Sequence, residues 1–354
     1  MIEKLRVLGA GAVVFMAAML VAAGSRPASA QKSVEDFYKG KNIDLIIGYS
    51  PGGGYDLYAR MVGQHLGKHI PGKPTIIPRN MPGAGSRTAV AWISNVAPKD
   101  GTVIATADQS LSVAQAMGDK VLTDMKIDTS KLIYIGNPSA DNNTTSTWHT
   151  SKVKTIQDAM KYEVPMGATG GSTSSQYPRA MNALLGTKFK IVLGYPGGNE
   201  INLAMERGEV DGRGSNAWAS WKSTRPDWIK DKKINILVQI GLTKAPDLPD
   251  VPLMMDLAKN ADDKAVLKLL SASTTIGRPL FTSPGVPEER VKALRAAFEA
   301  TMKDPEFLAD AEKRNFDINP VSGEEMQKIV LDIVATPKAI ADRLQSIIGE
   351  DTPK

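Results

Sequence analysis

The amino-acid sequence predicts an α/β fold with two α/β domains and a ligand cleft between them. Apolar runs of strand length alternate with amphipathic helical stretches along most of the chain, which is the pattern of α/β proteins. Three Gly-Gly junctions also stand where a predicted strand passes into a predicted helix. The chain has 354 residues, more than a single hydrophobic core usually organises, so two domains are expected.

The first unit begins with a predicted strand at residues 43–48, followed by Pro51-Gly52-Gly53-Gly54. The next apolar positions recur at spacings of three to five, as on a helix packed against a sheet; they are Leu57, Met61, Val62 and Leu66. The same order recurs with a strand at 75–77, a helix at 88–96 and a strand at 102–105. This alternation predicts a largely parallel sheet.

A second unit begins where strands reappear around residues 132–135. Further strands are predicted at 163–168, 189–193 and 234–240, and the Pro-rich residues 246–252 read as a linker. We therefore predict domain 1 from residues 31–125 together with 254–354, and domain 2 from residues 126–253. The helical stretches at 288–302 and 324–348 should pack outside domain 1 or bridge the domains.

The first thirty residues have the layout of a cleaved signal peptide. Lys4 and Arg6 precede an uncharged stretch at 7–24, and Ala28-Ser29-Ala30 provides a small-x-small cleavage site. The alternative is a retained membrane anchor, but the uncharged stretch is close to the lower length limit for crossing a bilayer. The pattern favours cleavage before Gln31 and export to the periplasm.

Composition excludes several kinds of function. The chain has no cysteine, which removes disulfides, thiolate metal sites and cysteine nucleophiles. The net charge of +5 is scattered, so nucleic-acid binding is not expected. His65 and His69 are spaced as i, i+4, but no Glu follows His65 as in zinc proteases, and a solvated helix end is favoured. No Gly-x-Ser-x-Gly nucleophile elbow occurs. We predict no enzymatic activity, no metal and no cofactor.

The three glycine junctions, at residues 52–54, 170–171 and 197–198, are the strongest chemical signal. A helix start directs unpaired backbone N–H groups at one point, and the helix dipole adds about half a positive charge there, so such starts bind carboxylate or phosphate. The carboxyl ends of strands also border the ligand crevice of open α/β sheets. For any one junction a simple tight turn is the alternative. No Gly-Lys-Ser/Thr follows them, which disfavours nucleotides.

Other residues near the first junction are further candidates. Asp56 lies in the first helical turn, where helix capping and binding of a ligand or water are both open. Tyr49 and Tyr55 flank the glycines and offer an apolar face and a hydroxyl at a pocket edge, although one of them could be part of the core. In a periplasmic enzyme, Asp56 and Asp108 would be the acidic candidates.

Several motifs resemble those of one transport family. They are residues 47–56 (IGYSPGGGYD), 80–85 (NMPGAG), 98–102 (PKDGT), 195–198 (YPGG) with 208–211 (GEVD), 248–252 (LPDVP) and 283–287 (SPGVP). In this order they resemble the substrate-binding proteins of tripartite tricarboxylate transporters, also called the Bug family. The resemblance covers essentially the whole chain after the leader.

The resemblance implies a type II periplasmic-binding-protein (Venus flytrap) fold and a monomeric receptor. Such receptors deliver small carboxylates, including di- and tricarboxylates and aromatic acids, to membrane permease subunits. A sensor that feeds a two-component regulatory system is the alternative. The ligand-binding residues expected from the glycine junctions and the resemblance are Tyr49, Ser50, Gly52, Gly53, Gly54, Tyr55, Asp56, Thr106, Asp108, Ser110, Thr169, Gly170, Gly171, Ser172, Thr173, Gly197 and Gly198.

Two positions depart from the family pattern. Residue 55 is usually a small hydroxyl residue but is Tyr here, which should narrow the pocket or stack on a ring. The second loop continues as Ser174-Ser175-Gln176 without the usual His. The identity of the carboxylate is therefore left open.

Overall fold

The computed structural model of the chain describes residues 33–348 and contains two mixed β-sheets covered by helices. The predicted signal peptide lies outside these residues. We call the two halves the six-stranded lobe and the five-stranded lobe after their sheets. Within residues 33–348, no helix is both long and apolar enough to cross a membrane.

The six-stranded sheet has the order β11-β4-β10-β3-β1-β2. Its strands are β1 (Asn42–Ile47), β2 (Thr75–Asn80), β3 (Val103–Thr106), β4 (Ile133–Asn137), β10 (Leu280–Thr282) and β11 (Val321–Ser322). The helices of this lobe are α1 (Val34–Tyr38), α2 (Gly54–Leu66), α3 (Arg87–Asn95), α4 (Leu111–Ala116), α5 (Lys120–Asp124), α12 (Glu288–Met302), α13 (Pro305–Lys313) and α14 (Gly323–Val334).

The five-stranded sheet has the order β7-β6-β8-β5-β9. Its strands are β5 (Asn143–Trp148), β6 (Val164–Gly167), β7 (Phe189–Val192), β8 (Gly212–Ala217) and β9 (Ile234–Ile240). The helices of this lobe are α6 (Ile156–Lys161), α7 (Thr173–Leu185), α8 (Gly198–Glu206), α9 (Trp218–Thr224) and α10 (Pro226–Lys230). Two more helices, α11 (Ala261–Ala272) and α15 (Lys338–Ile348), pack against each other and against α7.

The sheets are mixed rather than largely parallel. Strands β1, β2 and β3 are parallel as predicted, but β10 runs antiparallel to both β3 and β4. In the other sheet β5 is antiparallel to β8 and β9. Antiparallel strands arise because the chain crosses between the lobes and re-enters each sheet from the opposite end.

The predicted first boundary at residue 126 is wrong. Strand β4 follows it but pairs with β10 and β11 in the six-stranded sheet, so the chain crosses to the other lobe only after Asn137. The crossing segment is held by Asn319, whose N–H donates to Pro138 O at 3.1 Å and whose carbonyl accepts from Ala140 N at 3.0 Å. The chain then leaves the five-stranded sheet after Ile240 and rejoins the first sheet at Leu280.

The long helical stretch predicted at 324–348 is two helices, α14 and α15, because Pro337 cannot continue the hydrogen-bond ladder of α14. The stretch covers the six-stranded lobe with α14 and bridges to the other lobe with α15, which packs on α7. This stretch therefore shows both predicted placements, since one helix packs outside the six-stranded lobe and the other bridges the lobes.

The Trp-rich stretch after β8 forms the core on one face of the five-stranded sheet. Trp221 and Trp228 are fully buried, and their ring centroids lie 5.7 Å apart. Trp148, on β5, meets Trp228 edge to face at 4.6 Å. Such aromatic packing fixes α9 and α10 against the sheet, and α9 reaches the cleft between the lobes.

Candidate anion-binding cleft

All three glycine junctions precede helices, as predicted. Gly53 is the N-cap of α2, Ser172 is the N-cap of α7, and Gly197 is the N-cap of α8. The starts of α2 and α8 face each other across the cleft, since a Cβ on Gly53 would lie only 3.6 Å from the backbone N of Gly198. Two positive helix ends from different lobes thus point into one space.

That space is a small cavity of about 50 Å³ between the lobes, which we call the arginine cavity. It has room for only a few water molecules, or for a head group of similar size. The six-stranded lobe lines it with Tyr49, Gly53, Gly54, Tyr55, Asp108 and Gln109, and Arg278 also contributes. The five-stranded lobe lines it with Asn143, Thr169, Ser172, Thr173, Ser174, Gly198, Ile201, Arg213, Ser215, Asn216, Ala217 and Ser220.

Arg213 brings a positive charge into this cavity from β8. Its guanidinium donates to Ser215 O at 3.0 Å, to Asn202 Oδ1 at 3.1 Å and to Gly198 O at 3.4 Å, all of them neutral oxygens. Burial, which disfavours the charged form, lowers the pKa of Arg213 to about 10. Arg213 is a half-buried cation whose hydrogen bonds go only to neutral groups, and such a cation favours a nearby anion.

Arg278 contributes a second guanidinium, which is 4% exposed. It donates to Ser220 Oγ at 2.7 Å and to Ser139 O at 3.4 Å, and it stacks over the Tyr58 ring at 4.1 Å. Among residues 33–348, neither this arginine nor Arg213 forms an ion pair with a carboxylate.

A pair of stacked tyrosines closes the cavity on the side of the six-stranded lobe. The Tyr49 and Tyr55 rings lie 4.8 Å apart at 24°. Tyr49 OH donates to Asp108 Oδ2 at 2.5 Å, while Tyr55 OH donates to Gly277 O and accepts from Gln109 N. Burial, reinforced by the Asp108 charge, raises the pKa of both phenols. Tyr55 therefore narrows the cavity as a neutral, fully hydrogen-bonded side chain.

Part of the expected ligand-binding set lines the arginine cavity. The members that do are Tyr49, Gly53, Gly54, Tyr55, Asp108, Thr169, Ser172, Thr173 and Gly198. Their contact with a ligand remains a prediction. Close packing at Gly54 shows why glycine is needed there, because a Cβ would lie 2.0 Å from Ser220 Oγ across the cleft.

The other expected residues do not line this cavity because each has another role. Asp56 accepts from Gly52 N at 2.9 Å and from the side chains of Arg60 and Asn80 at 2.8 Å, so it holds the glycine loop. Ser50 Oγ donates to Glu200 Oε2 at 2.8 Å, and Gly197 packs against the same serine.

The strand residue Thr106 and the loop residue Ser110 also lie away from the cavity. Thr106 is buried within the sheet, and Ser110 is occupied in donating to Asp108 Oδ1. Gly170 and Gly171 line a different, larger groove. The second loop therefore reaches the arginine cavity through Thr169 and Ser172–Ser174 rather than through its glycines.

Sequence reasoning missed both arginines, together with Gln109, Asn143, Ser174, Ile201, Ser215, Asn216, Ala217 and Ser220. One signal was available, since Arg213 stands two residues after the Gly-x-Val-Asp motif at 208–211. Arg278 has no comparable local pattern. Its place in the cavity depends on the return of the chain from one lobe to the other.

A second charged cluster lies on the outside of the six-stranded lobe, which we call the Asp304 cluster. His65, Asp304 and Glu306 lie close enough together to be considered as metal ligands. The ammonium of Lys68, however, contacts both carboxylates at 2.5 Å, and His69 bonds Asp304 at 3.0 Å. Lys68 therefore offsets part of the negative charge of this cluster. The two histidines stand in the last turn of α2 and in the turn after it, but they are half-buried and bonded to Asp310 and Asp304, and not solvated as expected.

Two α/β lobes that enclose a small, positively charged cavity define a binding protein of the periplasmic type. The sequence profile described as "Tripartite tricarboxylate transporter family receptor" matches residues 58–345. The chain belongs to this family, as the motifs predicted.

The chain is also similar to one curated relative in sequence and to solved structures in fold. The chain is 25% identical over 345 residues to the "UPF0065 protein in gbd 5'region" of Cupriavidus necator, with 93% of this chain and 95% of the relative covered. The solved periplasmic binding protein BugD superposes with a TM-score of 0.70 at 17% identity, covering 88% of this chain and 99% of its own. MatC of Rhodopseudomonas palustris, solved with bound malate, gives a TM-score of 0.68 at 17% identity, with coverages of 85% and 99%.

Proposed function

We propose that this protein is an exported periplasmic receptor that captures a small organic anion bearing at least one carboxylate and delivers it to the membrane permease of a tripartite tricarboxylate transporter. The observation that carries this proposal is Arg213, a half-buried guanidinium whose hydrogen bonds go only to neutral groups in a cavity between two lobes. A carboxylate there would supply the missing counter-charge through charge-assisted hydrogen bonds.

The surrounding groups support an anionic ligand. Arg278 adds a second positive charge, and the starts of α2 and α8 add partial positive charge from both lobes. The one acidic side chain among the cavity residues, Asp108, is engaged by Tyr49 and Ser110. The electrostatic balance of the cavity is therefore positive.

The mode of binding follows from the position of the cavity. Its wall is divided between the lobes, so a solute is enclosed only when the lobes are together, and a receptor of this kind releases the solute when they separate. The bound malate of MatC supports a carboxylate as the solute class. The leader with its Ala-Ser-Ala site supports export.

Titration calorimetry with a panel of di-, tri- and aromatic carboxylates tests the binding step. We expect at least one to bind the wild-type protein, and Arg213→Gln to weaken that ligand by about 100-fold, because a charge-assisted contact is lost in a buried site. Arg207→Gln is the matched control, since Arg207 is an exposed arginine on the same lobe, and it should bind like the wild type.

Equal affinities for Arg213→Gln and the wild type would contradict the assignment of the anion site. Transport is tested separately by measuring uptake of the labelled ligand in a strain that lacks the gene. Loss of uptake, restored by the wild-type gene but not by Arg213→Gln, is expected. A strain that imports normally but no longer induces its transport genes would instead indicate a sensor.

A further inference from the structure

A second, larger space adjoins the arginine cavity. It is a groove of about 810 Å³, within the size range of sites that hold drug-sized molecules. Thr169 lines both the groove and the arginine cavity, so the two spaces approach each other at this residue. We call the larger space the Thr169 groove.

The Thr169 groove differs from the arginine cavity in its chemistry. Its charged side chains are mutually paired, since Arg87 bonds Asp119 at 2.5 Å and Lys120 bonds Asp124 at 2.6 Å. Much of the remaining lining is apolar, contributed by Pro82, Met117, Val121, Leu193, Tyr195 and Pro196. Val121 and Leu193 are each 41% exposed. Contact of their apolar surface with water is unfavourable in free energy, and an apolar group that covered them would remove this cost.

Both lobes build the groove. Met117 and Val121 belong to the six-stranded lobe, whereas Leu193 and Tyr195 follow β7 in the five-stranded lobe. The lobes also touch at its floor, where Arg87 Nη1 donates to Gly171 O at 2.6 Å. The groove is therefore assembled by the same approach of the lobes that encloses the arginine cavity.

The two spaces also differ greatly in size. The arginine cavity, at about 50 Å³, accommodates little more than a charged head group. From these observations we infer that the ligand is an amphipathic carboxylate whose charged end occupies the arginine cavity and whose apolar substituent extends past Thr169 into the Thr169 groove. This inference rests on the proposed function and adds the groove to the binding site.

Gly170 offers a direct way to fill the groove. It lines the groove but not the arginine cavity, a Cβ there would meet no atom within 4 Å, and its φ lies outside the left-handed region. Gly170→Leu should therefore fold normally and place its side chain in the groove. Ala300→Leu, on the exposed face of α12, is the matched control for added bulk.

The test compares succinate with phenylsuccinate, which has the same two carboxylates and one added ring. Calorimetry should show phenylsuccinate binding the wild type about tenfold more tightly, since the ring leaves water for an apolar groove. Gly170→Leu should remove this advantage by weakening phenylsuccinate, whereas Ala300→Leu should leave the affinities for both probes within about twofold of wild type. Leu193→Ser, which adds no bulk, should reduce the advantage several-fold.

The outcomes distinguish the inference about the Thr169 groove from the proposed carboxylate-binding function. If succinate binds wild type but phenylsuccinate has no advantage, or if Gly170→Leu weakens both probes equally or neither, the groove does not hold the substituent, and the anion site stands. Sensitivity of both probes to Arg213→Gln identifies the anion site independently. If neither probe binds the wild type, the inference fails for this ligand class, and the wider carboxylate panel then decides the proposed function.

Discussion

The arginine cavity and the Asp304 cluster are both rich in charge, but their charges are organised in opposite ways. In the Asp304 cluster, cations and carboxylates from α2, the following turn and α13 pair within one lobe. In the arginine cavity, two guanidinium groups line one space between the lobes and bond only neutral oxygens. Paired charges stabilise the lobe that carries them, whereas an unpaired buried charge costs stability and favours an incoming anion.

The largest expected effect is a loss of carboxylate affinity when the approach of the two lobes is obstructed. The arginine cavity depends on this approach, whereas the Asp304 cluster lies within one lobe. Gly54→Ala places a Cβ 2.0 Å from Ser220 Oγ and 2.9 Å from Ser220 Cβ, on the opposite lobe. We expect carboxylate affinity to fall between about 10-fold and 100-fold, because overpacking of this size costs one to several kcal/mol. Calorimetry measures the affinity, and thermal unfolding of the six-stranded lobe, which carries the Asp304 cluster, should change little.

A double-mutant cycle checks the steric cause. In a Ser220→Gly background the clash is removed, so adding Gly54→Ala should cost almost no further affinity. An equal loss in both backgrounds would mean that Gly54 acts through the local conformation of α2 and not through the approach of the lobes.

The fold was largely predictable because its signals are local. Apolar runs and glycine junctions marked β1, β6 and β7 together with the starts of α2, α7 and α8. Strand β5 escaped because its sequence, Asn143-Thr144-Thr145-Ser146-Thr147, is polar although all five residues are buried. Burial is possible because hydroxyls bond the neighbouring strand, as in the contact of 2.9 Å from Thr145 Oγ1 to Gly214 O.

The site was predictable only in part, for a related reason. The glycine helix starts are encoded by adjacent residues and were found. Arg213 reaches the start of α8 only through the packing of α8 on β8 within one lobe, and Arg278 reaches the cavity only through the return of the chain between the lobes. The first domain boundary was predicted wrongly because it also depends on distant residues. Strand β4 belongs to the six-stranded sheet through its pairing with β10, which lies more than a hundred residues later in the chain.

Without ligand, removal of a positive charge should change the stability of the protein in opposite directions in the two regions. Arg213→Gln removes a half-buried charge that forms no ion pair and should raise the free energy of unfolding by up to about 1 kcal/mol. Lys68→Gln removes the cation that bridges Asp304 and Glu306 and should lower the melting temperature slightly. Denaturant unfolding of the two variants tests the contrast, and destabilisation by both would show that Arg213 is as well compensated as Lys68.

The smallest expected effect concerns acid pH and the Asp304 cluster alone. Hydrogen bonds from Lys68 and His69 hold the pKa of Asp304 well below its ordinary value of 3.8. A carboxylate whose pKa is lower in the folded state contributes stability above its ordinary pKa, and this contribution is lost as the pH falls through the lowered value. The wild-type melting temperature should therefore fall more steeply below about pH 4 than that of Asp304→Asn.

Asparagine is the appropriate replacement because it retains the N-cap bond to Glu306 N, which Asp304 accepts at 3.0 Å. The difference between the two proteins then reports the charge of Asp304 and not the cap of α13. We expect the two melting-temperature profiles to separate slightly between pH 6 and pH 3, and we expect no difference in carboxylate affinity at neutral pH. Parallel pH profiles would mean that the cluster is screened by solvent, and a change in affinity would mean that the two charged regions are coupled.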